Sequence, residues 1–455
     1  MLTIGQICKA TKGKLIYGDA SKLIKGFCID SRSLKKGQAF IAIIGKNLDG
    51  HHFIKKACGA GAGALIVSKR ICALPNIPVI LVQDTTKALG YIARLYREQF
   101  FIPMIAVTGS VGKTTTKEMM ASVLSSRFRV LKNVKTENNH FGVPLTLLRL
   151  TPSHEAAVIE FGTNQPGDIR WLAEITKPNI AVFTRIGESH LERLKTPLGV
   201  FREKYDLVKF MPSRGTIIFN ADDKYLSRIP KMKTPQRKVG FSIHNKSSFQ
   251  AQAITTSHNH CQFYLKGKAY ALKTPVEHNI YNALAAICCG SLFKMGYNEI
   301  KNRLWRFDAC DGRQEIKRVG SLWLIDDTYN ANPVSFRSAV KTLETFECRG
   351  RKIFVCADMF ELGNQSKKIH QACGDFLSKS KIDVVLTFGE NARFITQRLK
   401  QFNAQRQAMH CATLKAIFKR LKHMCQPEDV ILIKGSRGMK MERVVAFVEE
   451  KLFKV

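Results

Sequence analysis

The chain has 455 residues, 72 Lys and Arg against 36 Asp and Glu for a formal charge of +36, and 45% hydrophobic residues. That length allows about three domains with separate cores and excludes a small stapled scaffold; the ordinary apolar content excludes a disordered chain and puts the surplus charge on a surface. No apolar run reaches the roughly 20 residues that cross a bilayer, and residues 1–14 lack the charged-then-apolar layout of a secretory leader, so a cytoplasmic protein without integral membrane association is expected.

In chain order, short β-like runs at 39–44 and 64–67 surround a glycine-bearing stretch at 58–63 and end in a strand-like run at 79–82, which reads as a small α/β domain. Apolar residues at helical spacing (Leu89, Ile92, Ala93, Tyr96) predict a connecting helix over 85–99, stopped before Pro103. The run 104–107 enters Thr108-Gly109-Ser110-Val111-Gly112-Lys113-Thr114-Thr115-Thr116, followed by a helix expected from about Lys117 to Ser125. Strand, glycine loop, helix is the layout of a phosphate loop. Runs at 156–159, 180–183 and 216–219 alternate with helical stretches and predict a largely parallel sheet with helices on both faces. Residues 283–293 read as a buried helix segment. Runs at 323–325, 352–355, 384–388 and 430–433 repeat the logic and predict a second doubly wound domain.

The chemistry concentrates at the glycine loop. Gly109 and Gly112 let backbone approach an oxyanion, and the loop amides with the helix N-terminus form a cradle for phosphate. Lys113 would reach the outer phosphates and the Thr114 hydroxyl would bind Mg2+. Val107 stands where the general pattern has its first glycine. Glu160 ends a strand run, where an α/β ATPase needs a carboxylate for magnesium; by itself it reads equally well as a solvated glutamate. His190, in Gly187-Glu188-Ser189-His190-Leu191-Glu192, is by itself a weak signal. Lys204 reads from composition as one more surface lysine.

Together these segments resemble the Mur ligases, the ATP-dependent amide-forming enzymes of peptidoglycan precursor synthesis, over essentially the whole chain. Thr108–Thr115 is similar to that family's version of the loop, which accounts for Val107, and Glu160-Phe161-Gly162-Thr163-Asn164 is similar to its strand-end motif. The resemblance implies two Mg2+ ions held with Thr114, Glu160, His190 and a carbamoylated Lys204. Asp326-Asp327-Thr328-Tyr329-Asn330-Ala331-Asn332-Pro333 resembles the signature of the member that adds D-alanyl-D-alanine, as do Asp358–Gly363 and Lys434–Met439. This implies a D-Ala-D-Ala region at Tyr329, Asn330, Asn332, Asp358 and Lys434. Asp30-Ser31-Arg32 and Asp49-Gly50-His51 resemble segments that hold a UDP moiety, which assigns Ser31, Arg32, Asp49, Gly50 and His51 to that substrate. His278–Ala283 resembles the segment beside adenine, implying nucleotide contacts from Asn279 and Asn282. By the same resemblance Arg313 approaches the γ-phosphate and Asp327 the ribose. Val276 and Gln165 depart from residues usual in the family.

The implied architecture has three domains: 1–83, an N-terminal domain for the UDP substrate; 84–313, a central ATP-binding domain; and 314–455, a Rossmann-like domain for the incoming D-Ala-D-Ala. Hinges are expected near 84 and 313. The implied reaction joins D-Ala-D-Ala to UDP-N-acetylmuramoyl-tripeptide through an acyl phosphate, with Lys113, His190, Lys204 and Arg313 as the catalytic set and a monomer as the working unit. One alternative is another ligase of the superfamily, such as a folate-glutamate ligase, against which Asp326–Pro333 argues. A nucleic-acid-stimulated ATPase is the other, prompted by a pI near 9.9. Basic residues are scattered, without a Lys/Arg block or interleaved aromatics, so no nucleic-acid partner is expected. The 13 cysteines lack zinc-type CxxC spacing and read as reduced thiols.

Overall fold

The computed structural model describes residues 1–452 apart from 46, 72–74, 258–259, 309 and 403–406. Three α/β sheets follow one another along the chain. The first has strands Lys14–Tyr17, Val79–Leu81, Ala64–Val67, Ala39–Ile41 and Phe27–Cys28 in spatial order, antiparallel at the first pair and parallel thereafter. The run expected over 39–44 is shortened: the backbone leaves the sheet after Ile41 and turns back through a bridge between Ile44 and Asp49.

The second sheet is parallel throughout, in the order Phe249–Gln250, Arg237–Ser242, Thr216–Asn220, Ile180–Phe183, Met104–Thr108, Ala156–Glu160, Val130–Lys132. Its strands are apolar without alternation because both faces are covered. Ala106, Ile159, Phe183 and Phe219 pack on one face, whereas Val107, Val158, Val182 and Ile218 pack on the other against helices Lys113–Leu124 and Asn279–Leu292. A three-stranded antiparallel sheet, Gln252–Thr256, Cys261–Leu265 and Lys268–Leu272, closes that second face. It was not legible in the sequence.

The third sheet has the order Glu315–Val319, Leu322–Asp327, Val430–Lys434, Lys352–Ala357, Val384–Phe388, Gln407–Cys411, with only the first pair antiparallel. One apolar cluster runs from the second sheet into the third through Ile325, Phe336, Phe354 and Leu432, so these two units share a core face. The expected connecting helix forms as Thr85–Arg97; Ala88, Leu89 and Ile92 face the first sheet, and Ala93 joins the core of the second. Gly90 lets it approach the neighbouring helix, since a Cβ there would lie 2.3 Å from the Trp171 ring. The expected helix start at Lys117 is corrected to Lys113: Gly112, at φ 83°, turns the loop directly into the first helical residue. The 12 described cysteines are free thiols; Cys72 lies outside the described residues. Among the described residues, no helix is long and apolar enough to cross a membrane.

Candidate active site

A cleft of about 740 Å³ opens between the second and third sheets. It lies where the strands Met104–Thr108 and Ala156–Glu160 end, at the carboxyl edge at which open parallel sheets bind ligands. The loop after the first of these strands is shaped by its neighbours. A Cβ at Gly109 would lie 2.0 Å from Thr184 Oγ1, and one at Gly112 would lie 2.6 Å from Asn282 Oδ1. The Ser110 amide donates to the Arg185 carbonyl (2.6 Å) and Thr184 Oγ1 donates to the Val111 carbonyl (2.6 Å), so the loop is held from outside. Because the helix begins at Lys113, the amides of its first turn have no intrahelical acceptor and present partial positive charge at the cleft.

Glu160, almost fully buried, accepts hydrogen bonds from Thr114 Oγ1 (2.7 Å) and Asn138 Nδ2 (2.7 Å), while its own amide donates to Asn133 Oδ1 (2.6 Å). Two lysines stand near it without neutralising it by contact. Lys113 lines the cleft, and burial pulls its pKa below the ordinary lysine value, with the Arg313 charge acting the same way and Glu160 and Glu361 opposing. Lys204 is 1% exposed, its ammonium without a hydrogen-bond or ion-pair partner among the described residues; burial first, then repulsion from Lys113, brings it down to about 7. The helix Pro197–Tyr205 carries Lys204 inward, and the adjoining Glu203 is occupied by the amides of Gly167 and Ile169 (both 2.8 Å). Composition alone placed Lys204 on the surface; tertiary packing puts it inside.

His190 reaches the cleft from the segment after strand Ile180–Phe183, with φ 53°. Its Nδ1 lies 2.6 Å from Glu361 Oε2 of the third unit, at ion-pair distance with the ring turned out of line for a hydrogen bond. Desolvation lowers its pKa, Glu361 raises it, and Lys204 and Lys113 lower it further, the net shift being downward.

The third unit supplies the opposite wall. Arg313 stacks on Tyr329, its guanidinium carbon 4.0 Å from the ring centroid. Lys434 Nζ donates to Asp327 Oδ2 (2.7 Å) and the Asn330 carbonyl (2.9 Å), and Asn332 Nδ2 donates to the Ser110 carbonyl of the glycine loop (3.3 Å). Burial raises the Asp327 pKa against the attraction of Lys434. Ser338 Oγ meets His278 Nδ1 at 2.9 Å.

The cleft thus brings together Ser110, Val111, Gly112, Lys113, Thr115, Glu160, His190, Arg313, Asp327, Tyr329, Asn330, Asn332 and Lys434 from the sequence-derived set. Thr108 and Gly109 lie behind the loop, and Thr114 reaches in through Glu160. Asn282 links the helix Asn279–Leu292 to the loop helix by accepting from Thr116 Oγ1 (2.9 Å) while donating to Asn279 (2.8 Å). Asp358 is not in the cleft; its carboxylate accepts the amides of Asn391 (3.0 Å) and Ala392 (2.6 Å) and organises a loop of the third unit.

Ser31, Arg32, Asp49, Gly50 and His51 stand apart, beyond the carboxyl ends of the first sheet's strands. Arg32 pairs with Asp30 at 2.7 Å; Asp49 binds the His51 amide (2.9 Å), His51 Nδ1 (2.6 Å) and Lys69 (2.6 Å). Those bonds hold the Asp49 carboxyl well below the ordinary carboxylate range, Lys69 contributing most. Ser68 donates its amide to His51 Nε2 (3.0 Å), which leaves Nδ1 to donate to Asp49. Asn138, Gln314, Ser338 and Glu361 line the cleft but were not singled out from sequence, because each depends on a partner distant along the chain; only Glu361 lay in a segment already marked, Asp358–Gly363.

A glycine loop feeding a helix, a strand-end carboxylate beside it and a facing basic wall define a phosphate-loop nucleotide enzyme. Family models for the Mur ligase family catalytic domain, the Mur ligase middle domain, and the Mur ligase glutamate ligase domain match residues 23–97, 107–290 and 312–437. The chain belongs to the Mur ligase family. It is 35% identical to the UDP-N-acetylmuramoyl-tripeptide--D-alanyl-D-alanine ligase of Bacillus subtilis over 97% of both chains. Its structure is similar to that of MurF from Acinetobacter baumannii, with 30% identity, TM-score 0.91 and 99% of each chain covered. It is also similar to the Thermotoga maritima MurF ligase solved in complex with ADP, with 26% identity and TM-score 0.83, covering 94% of this chain and 97% of that one.

Proposed function

We propose that this chain is an ATP-dependent amide ligase that joins D-alanyl-D-alanine to UDP-N-acetylmuramoyl-tripeptide, releasing ADP and phosphate. The observation that carries this reading is the meeting of the glycine loop with Asp326–Pro333 across one cleft, Asn332 against Ser110, in a chain similar end to end to ligases of that name.

The tripeptide's terminal carboxylate attacks the γ-phosphorus of ATP; the new O–P bond forms as the bond to the β-phosphate oxygen breaks, leaving ADP and an acyl phosphate. Loop amides, Lys113 and Arg313 surround the transferred group with fixed positive charge, which stabilises charge developing on it. The amine of D-Ala-D-Ala then attacks the acyl carbon, gives up a proton, and phosphate leaves. The donor set suits divalent metal: a buried carboxylate and a threonine hydroxyl share one hydrogen bond, with an imidazole and two lysines nearby whose ammonium groups pair with no carboxylate among the described residues. Thr114, Glu160, His190 and carbamoylated Lys204 would hold Mg2+, which when bound neutralises phosphate charge. At a pKa near 7, part of the Lys204 population is free amine, the form that adds CO2, and the added carboxylate replaces a desolvated cation beside Lys113 with an anion. The first sheet's edge, with Ser31, Arg32, Asp49, Gly50 and His51, would take the UDP group, and Tyr329, Asn330, Asn332 and Lys434 the dipeptide. Asn279, Asn282 and Asp327 would serve the nucleoside.

The test is phosphate release by purified protein with ATP and Mg2+, adding the UDP-tripeptide and D-Ala-D-Ala singly and together, with a parallel reaction containing DNA. Release that needs both substrates is expected; release driven by DNA and indifferent to the dipeptide overturns the reading.

A further inference from the structure

The second and third units meet at a seam beside the metal-ligand candidates. The Glu192 amide donates across it to the Glu361 carbonyl (3.1 Å), and Gln365 Nε2 donates to the Lys195 carbonyl (3.4 Å). A Cβ at Gly363 would lie 3.2 Å from Glu192 Cα, so the approach has little room to spare. Glu361, at φ 64°, turns back from this docked loop and sets its carboxylate 2.6 Å from Nδ1 of His190, itself at φ 53°. Among the described residues Nδ1 makes no hydrogen bond, and Glu361 is the carboxylate it faces at ion-pair distance. A rotation of the ring into line would let Nδ1–H donate to this carboxylate and leave the Nε2 lone pair on the far edge free for a metal, and such carboxylate partners tune metal-ligating histidines. Here the carboxylate belongs to a different domain from the histidine it faces.

We infer that Glu361 is a positioning residue that completes the metal site through His190, so that docking of the third domain and assembly of the metal ligands are one event. The inference rests on the ligase reading above and extends it: the site that receives D-Ala-D-Ala would report its closure to the site that holds the metal of ATP. Glu361 touches neither substrate nor metal in this role.

The test is Mn2+ binding to the full chain with ADP, followed by electron paramagnetic resonance. Glu361→Gln is expected to weaken Mn2+ binding on the order of 10- to 100-fold. His190→Ala should weaken it similarly, and the double variant should be no weaker than His190→Ala alone. Glu361→Asp, which keeps the charge on a shorter arm, should recover part of the affinity. The melting temperature of Glu361→Gln should stay within a few degrees of the parent, separating positioning from misfolding. Unchanged Mn2+ affinity in Glu361→Gln, or losses that add in the double variant, would overturn the inference. If the parent makes amide product while Glu361→Gln binds Mn2+ normally, this inference alone fails; if the parent makes no product, the ligase reading fails with it.

Discussion

The cleft between the second and third sheets and the edge of the first sheet both carry charged residues at the ends of parallel strands, yet they handle charge in opposite ways. Lys113 in the cleft and the buried Lys204 near it are desolvated and have no contacting carboxylate among the described residues, and both are pulled below the ordinary lysine range. At the first sheet's edge, Arg32 is matched by Asp30, and Asp49 by His51 and Lys69, before any ligand arrives. Unpaired buried cations are unfavourable in isolation and become favourable with a polyanion, so the cleft is preorganised for triphosphate. The paired edge instead holds the geometry of its hydrogen-bonding groups and is tuned for recognition.

The largest effect expected from breaking this contrast is at Lys113. Lys113→Ala should lower kcat by about 10²- to 10³-fold in the phosphate-release assay, because charge on the transferred group loses a preorganised partner. Next comes Lys204. Its pKa lies below that of an ordinary lysine, so the free amine predominates above about pH 7 and is lost as pH falls through that value. Enzyme depleted of CO2 should therefore lose most of its activity, on the order of tenfold, and regain it with bicarbonate at pH 8 but far less at pH 6. Lys204→Arg should abolish the bicarbonate response.

Changes at the first sheet should act on binding rather than turnover. Asp49→Ala removes the acceptor of three hydrogen bonds and should raise KM for the UDP substrate about tenfold with kcat near the parent value. A kcat loss as large as that of Lys113→Ala would erase the distinction between the regions. Arg32→Ala should have the smallest effect: its pair with Asp30 is exposed, so melting should be unchanged and KM should rise about threefold, the effect shrinking with added salt.

Local order was legible where a short window holds its own cause. The glycine loop, the apolar runs of the second and third sheets and the helix Thr85–Arg97 follow from glycine placement, continuous hydrophobicity and helical spacing. The antiparallel strands Gln252–Thr256, Cys261–Leu265 and Lys268–Leu272 escaped notice because the first is exposed and lacks an apolar run, and the helix start at Lys113 was placed late because threonines are weak helix signals. By itself the sequence determined the phosphate loop, the strand-end position of Glu160 and the resemblance that named candidates, since these depend on residue types at fixed spacing. Only the tertiary structure decided that Lys204 is buried, that Asp358 serves a loop rather than the cleft, and that Glu361 faces His190. Burial and opposition across a domain seam depend on residues far apart in the chain, and those meet only when separate sheets pack together.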